Sequence, residues 1–261
     1  MNRRWLTFIL FFVMIPAVAV GGALIFREKH YAWVSLCVAV LTCLPILYDF
    51  ERRETGSSEL MVLSVLTSLS VAGRFLFAWL PGFKPVTAIT VVTALWLGAE
   101  PGFIVGSLTA LLSNFYFGQG PWTPFQMFSW GLIGGLAGLI AKPLRRNKIL
   151  LCLYGVFAGV FYSLIMDLWS TFWMGEGFSL ARYLTYVAAA LPTTIEYAVS
   201  NVLFLLVLTG PVGDKLDRIR VKYGLFREAA SDEPALPVRP DVYDSLQSDA
   251  ETSAADCSDT H

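Results

Sequence analysis

The chain has 261 residues, of which 56% are hydrophobic and only 15% charged, with a mean hydropathy of +0.60 and a formal net charge of −1. Soluble domains run near 45–50% apolar and about 25% charged, so these values exclude an ordinary soluble domain and point to a membrane protein. There are two histidines, one of them the terminal His261, which excludes a paired-histidine zinc motif and leaves Ser–His catalysis poorly supported; the four cysteines have neither metal-ligand nor disulfide-framework spacing, so no metal or other cofactor is expected.

A helix needs about 20 apolar residues to cross about 30 Å of hydrocarbon. That rule predicts eight spans, at about 5–26, 31–49, 59–80, 85–99, 102–118, 124–141, 149–173 and 184–209. The first follows Arg3 and Arg4 and is too long for a signal peptide, although AVAVGGA imitates a cleavage site. Neither of the first two carries a polar constellation. On the third, Ser64, Ser68 and Ala72 fall four residues apart. The fourth and fifth are short and separated only by Glu100 and Pro101, which predicts a tight helical hairpin. In the sixth and seventh, Gly131 and Gly135, Gly134 and Gly138, and Gly155 and Gly159 repeat the four-residue spacing, which lets helix backbones approach closely in lipid. Beyond Leu225 the chain becomes acidic and Pro- and Ser-containing, the composition of a disordered tail. The expected organisation is two N-terminal helices over 1–50, a six-helix membrane core over 51–225 and a tail over 226–261.

Lys and Arg set the orientation. With the N-terminus inside, the inner side holds Arg3, Arg4, Arg52, Arg53, Lys142, Arg145, Arg146, Lys148 and the cluster Lys215 to Lys222, against Arg27, Lys29, Lys84 and Arg182 outside. Both termini are therefore expected to be cytoplasmic in a multi-pass plasma-membrane protein.

Ionisable residues inside a span are costly and mark a cavity, a partner or a pathway. Arg74 and Asp167 lie at similar depth, about 9 Å from the outer ends of their spans, and opposite charge predicts an ion pair between them, structural or ligand-binding. Glu196 lies near the bilayer middle, with Pro192, Thr193, Thr194 and Asn201 supplying hydrogen-bonding groups around it.

The stretch from Asn114 to Trp130 reads NFYFGQGPWTPFQMFSW. It gathers Asn114, Gln119, Trp122, Thr123, Gln126 and Trp130 at an outward-facing mouth, and Trp169 and Trp173 reach the same level from another span. Aromatic faces with a few orienting amides suit an uncharged or weakly charged organic ligand. An interfacial aromatic belt explains the tryptophans equally well, but not GQGP with Asn114 and Gln126.

These residues resemble the substrate-specific S components of energy-coupling factor (ECF) vitamin transporters. The motifs KPV, PGF-VG, SNF-FGQGPWTP-QM and WGLIG occur in that order, as in the cobalamin-type branch, and the resemblance covers about residues 59–209. It implies an all-α integral membrane fold, a six-helix S-component-like bundle here preceded by two extra N-terminal helices, with a small-molecule site under the loops at about 80–84, 118–123 and 174–183. It also implies binding without ATP hydrolysis, and docking on a transmembrane coupling protein and two cytoplasmic ATPases. The family's small-residue docking pattern falls on Ser64, Ser68 and Ala72, with hydroxyls where alanines are usual. The candidate substrate-binding set is Arg74, Lys84, Asn114, Gln119, Trp122, Gln126, Trp130, Asp167 and Trp169. Cobalamin is the leading substrate, with flavins, pterins and modified nucleobases compatible; membrane lipid surrounds the chain and no nucleic acid partner is expected. A self-sufficient secondary transporter would have only Glu196 and Asp167 for a coupling-ion site, and an intramembrane enzyme would have only the same two carboxylates.

Overall fold

The computed structural model describes residues 57–174, 178–223 and Leu225. The two expected N-terminal spans and the acidic tail lie outside the described residues. Among the described residues all regular structure is helical: α1 (Ser57–Leu76), α2 (Val86–Leu97), α3 (Ala99–Phe117), α4 (Thr123–Leu139), α5 (Ala141–Arg146), α6 (Lys148–Trp173), α7 (Leu180–Ala189) and α8 (Leu191–Tyr223). The result is an all-α membrane bundle, in which α1, α6 and α8 are each long and apolar enough to cross a bilayer. Five of the six spans expected over 59–209 are present as single helices, and the sixth is divided.

The bundle is built around α2. All twelve of its residues are buried, and α1, α3, α4 and α8 pack around it. Lipid is as apolar as leucine, so close van der Waals fit and interhelical hydrogen bonds hold such a bundle together. The glycine stripes supply that fit. A Cβ at Gly134 would collide with the Gly102 carbonyl of α3, and one at Gly138 with the backbone of Ala99. Between α6 and α8, a Cβ at Gly159 would lie 2.7 Å from the Ala198 nitrogen. Gly135 is different, with nothing nearer than 3.9 Å, so its half of the predicted stripe carries no close approach.

Hydrogen bonds fix the same contacts. Ser107 Oγ donates to the Met127 carbonyl at 3.0 Å, and the Tyr154 hydroxyl to the Ile133 carbonyl. Across α6 and α8, Asn201 Nδ2 donates to the Gly155 carbonyl at 3.2 Å, and the Ser163 and Thr194 hydroxyls meet at 2.6 Å.

Two expected boundaries move. The α2–α3 hairpin turns on Gly98 alone, at φ 107°, and Glu100 and Pro101 belong to the first turn of α3. Only glycine enters that region without strain, and a proline in a first turn removes an N–H that has no helical partner. The span expected at 184–209 divides after Ala189: α7 has no buried residue, while α8 takes Pro192 into its first turn and continues to Tyr223.

The connections 77–85 and 118–122 and the C-terminal end of α6 share one end, which Phe75 ties together by its ring contacts to Tyr116 and Phe117 and Trp122 by its contact to Trp169. The opposite end is basic. There Arg145 pairs with Asp217 at 3.7 Å and lies over the Trp96 ring, and Arg220 donates to the Trp96 carbonyl at 3.1 Å.

Candidate functional site

A cavity of about 100 Å³ lies toward the loop end, between α1, the first turn of α2, α4, α6 and α8. Arg74 enters from α1, Lys84 and Gly82 from the connection before α2, Gln126 and Trp130 from α4, Tyr162 from α6, and Tyr197 and Asn201 from α8. Four of the candidate binding residues, Arg74, Lys84, Gln126 and Trp130, therefore share one space.

A relay of hydrogen bonds orients them. Arg74 Nη1 donates to Ser113 Oγ and, at 2.8 Å, to Asn114 Oδ1. Asn114 Nδ2 then donates to Gln126 Oε1 at 2.8 Å and to Thr123 Oγ1 at 3.0 Å. Gln126 Nε2 passes the chain on to the Tyr162 hydroxyl at 2.8 Å. Asn114 is fully buried and stands behind the cavity wall, so its place is to position Arg74 and Gln126.

The aromatic wall is equally ordered. Trp130 and Tyr162 stack at 5.3 Å with 11° between planes, and Tyr197 meets Tyr162 edge-on at 5.2 Å. The Arg74 guanidinium lies 4.5 Å from the Phe117 ring centre and 5.2 Å from that of Trp130. Cations are attracted to ring faces in this way.

The GQGP stretch shapes the turn that makes this possible. Gly118, at φ 103°, ends α3, and a Cβ on Gly120 would overlap the Trp122 ring. Gln119 is exposed; its Nε2 donates to the Leu111 carbonyl at 2.8 Å and its Oε1 accepts from Thr123 Oγ1 at 2.9 Å. The turn brings Asn114, one turn before the end of α3, opposite Gln126, one turn into α4.

The remaining candidates lie elsewhere. Gln119 serves the turn. Trp122 packs edge-on to Trp169 at 5.7 Å, and Trp169 stacks on Trp173 at 6.2 Å, forming an aromatic layer at the loop end. Asp167 does not line the cavity, and the expected Arg74–Asp167 ion pair is not formed. Arg74 has turned to Ser113 and Asn114, whose short side chains on α3 reach it first, and Asp167 Oδ2 has no hydrogen-bond partner. Glu196 is exposed, with its carboxylate against Gly82. Ser163 and Thr194 pair between the two carboxylates, which leaves them about 9 Å apart along the helix axes. That is no catalytic dyad.

Lys84 is half-buried in the connection, and its backbone N–H donates to Ser200 Oγ at 3.0 Å. Burial first, and the Arg74 guanidinium second, hold its ammonium below the usual lysine range, with Glu196 acting in the opposite sense.

Tyr162 and Tyr197 line the cavity as well, although the sequence did not single them out. The available signal was a hydroxyl-bearing ring within an otherwise apolar helix, but belt tyrosines give the same signal at helix ends. Ser64, Ser68 and Ala72 are all exposed on α1 beside Met61, Val65 and Leu69.

The sequence model of one protein family, described as ECF-type riboflavin transporter, S component, matches residues 57–218, well over half of the chain. Neither a curated protein nor a solved structure matches it.

Proposed function

The chain belongs to the ECF-type riboflavin transporter S component family, and from that premise we propose that it captures a flat, ring-based vitamin for an ATP-driven importer. As a member it is a membrane-embedded substrate-binding subunit of an ECF transporter. The observation that carries the ligand class is the cavity wall. Trp130 and Tyr162 form a stacked aromatic pair there, and Gln126, held between Asn114 and Tyr162, presents its amide beside the pair. Sites of this kind take affinity from the apolar faces and orientation from a few fixed polar groups.

Of the ring systems compatible with the sequence, a flavin suits this space better than cobalamin. A cavity of about 100 Å³ lined by aromatic rings admits a planar ring edge, whereas a corrin with groups on both faces would have to displace most of the wall. A ligand longer than the cavity enters by moving the connection Phe77–Pro85, which contributes Gly82 and Lys84. The proposed partners are a transmembrane coupling protein and two cytoplasmic ATPases, with the exposed face of α1 around Ser64, Ser68 and Ala72 as the docking face.

Mass spectrometry of small molecules released on denaturing the detergent-purified chain tests the reading. A flavin near one per chain is the expected result. A corrinoid in its place would return cobalamin as substrate and overturn the flat-ring assignment.

A further inference from the structure

Arg74 is nine-tenths buried, and the groups in direct contact with its guanidinium are neutral. Its partners are a hydroxyl and a side-chain amide oxygen, flanked by two aromatic rings, and its Nε has no hydrogen-bond partner. Lys84 lines the same cavity, which therefore carries two cationic side chains and, among the described residues lining it, no carboxylate. The nearest acids are placed to the side. Glu196 rests on Gly82 and forms no ion pair with Lys84, and Asp167 forms none with Arg74.

A buried cation without a counter-charge is expensive, and more so within a membrane. Dipoles and ring faces recover part of that cost, and an anion delivered into the site recovers the rest. We infer that the ligand presents an oxyanion, a carboxylate or a phosphate monoester carried by its planar ring system or by a side chain of that ring, to Arg74 and Lys84. This deepens the flat-ring reading above and rests on it. Charge-assisted hydrogen bonds are about twice as strong as neutral ones, so the oxyanion would be the main source of discrimination and the aromatic wall the source of general affinity.

Matched pairs that differ only in the oxyanion test this on the purified full chain: riboflavin with riboflavin 5′-phosphate, and pterin with pterin-6-carboxylate. Affinities are measured by calorimetry for the native chain, Arg74→Gln, Arg74→Lys and Lys84→Gln. The anionic member of at least one pair should bind about tenfold or more tightly than its neutral partner. Arg74→Gln should remove that advantage, weakening the anionic member about tenfold or more beyond any loss the neutral member suffers, and Arg74→Lys should restore part of it. Lys84 is half-buried in a connection, so Lys84→Gln gives a second reading should Arg74→Gln fail to fold. If the neutral flavin binds as tightly as its phosphate, or Arg74→Gln weakens both members alike, the oxyanion inference falls and the flavin reading stands. If only the pterin carboxylate binds, the flavin assignment falls and the inference stands. Binding of no member of either pair overturns the inference.

Discussion

Asn114 controls both edges of the cavity because its side chain is used at both ends. The oxygen holds Arg74, and the nitrogen holds Gln126 and Thr123. Asn114→Leu would leave the Gln126 oxygen unpaired in a dry interior, at about 1–3 kcal/mol, so a lower melting temperature and weaker ligand binding are expected together. Asn114→Asp keeps an acceptor for Arg74 but, like Asn114→Leu, removes the donor to Gln126 and Thr123. A carboxylate there would place a fixed counter-charge on Arg74, which should preserve thermal stability relative to Asn114→Leu and still weaken binding of riboflavin 5′-phosphate. Tight phosphate binding by Asn114→Asp would show that Arg74 does not recognise the ligand's charge. Lys84 gives a pH signature. Its ammonium is held below the usual lysine range by burial and then by Arg74, so the folded chain releases this proton at lower pH than the unfolded chain does. Stability of the ligand-free protein therefore rises with pH between that lowered value and the ordinary lysine value near 10.5. Lys84→Met should remove this rise, as followed by thermal unfolding across that pH window. Affinity for an anionic ligand should move the opposite way, falling as Lys84 loses its charge.

At the scale of the helices, α3 and α4 meet backbone to backbone at Gly102 and Gly134, while Gly135 one position on has room for a Cβ, with its nearest neighbour at 3.9 Å. Gly134→Ala should therefore lower the melting temperature markedly and Gly135→Ala should leave it nearly unchanged, although the sequence spacing treats the two alike. Apolar length and proline position were enough to read five helices and their order from the sequence. Spacing alone could not say which glycines touch, because that depends on how each helix is rotated about its axis. The break after Ala189 was hidden for a related reason, since α7 and α8 are both apolar and Pro192 is compatible with a helix start or a helix interior. The site was readable where one short connection brings its residues together, as with Asn114, Thr123 and Gln126. It was least readable where distant helices meet. Arg74 was correctly singled out as a buried charge, but it was assigned a partner by depth and opposite sign, and short polar groups on a neighbouring helix took that place.

At the scale of the whole molecule, the cavity and the proposed docking face are served by different sides of α1. Arg74 points inward, and Ser64, Ser68 and Ala72 are exposed. Ser64→Leu with Ser68→Leu should block co-purification with the coupling protein and leave ligand affinity within about twofold; retained assembly would move the docking face elsewhere. The placement of the cavity itself follows from α2. At 12 residues that helix rises about 18 Å, against about 30 Å of hydrocarbon, and the cavity rests on its first turn at Val86 and Thr87. The central column of the bundle thus stops roughly 12 Å short of a full crossing, and the cavity lies at the start of α2, where further turns of helix would run into it. Capacity here is set by a missing length of helix as much as by the residues at the walls, so that splicing turns onto the start of α2 would act as a stopper, and trimming them would deepen the vessel.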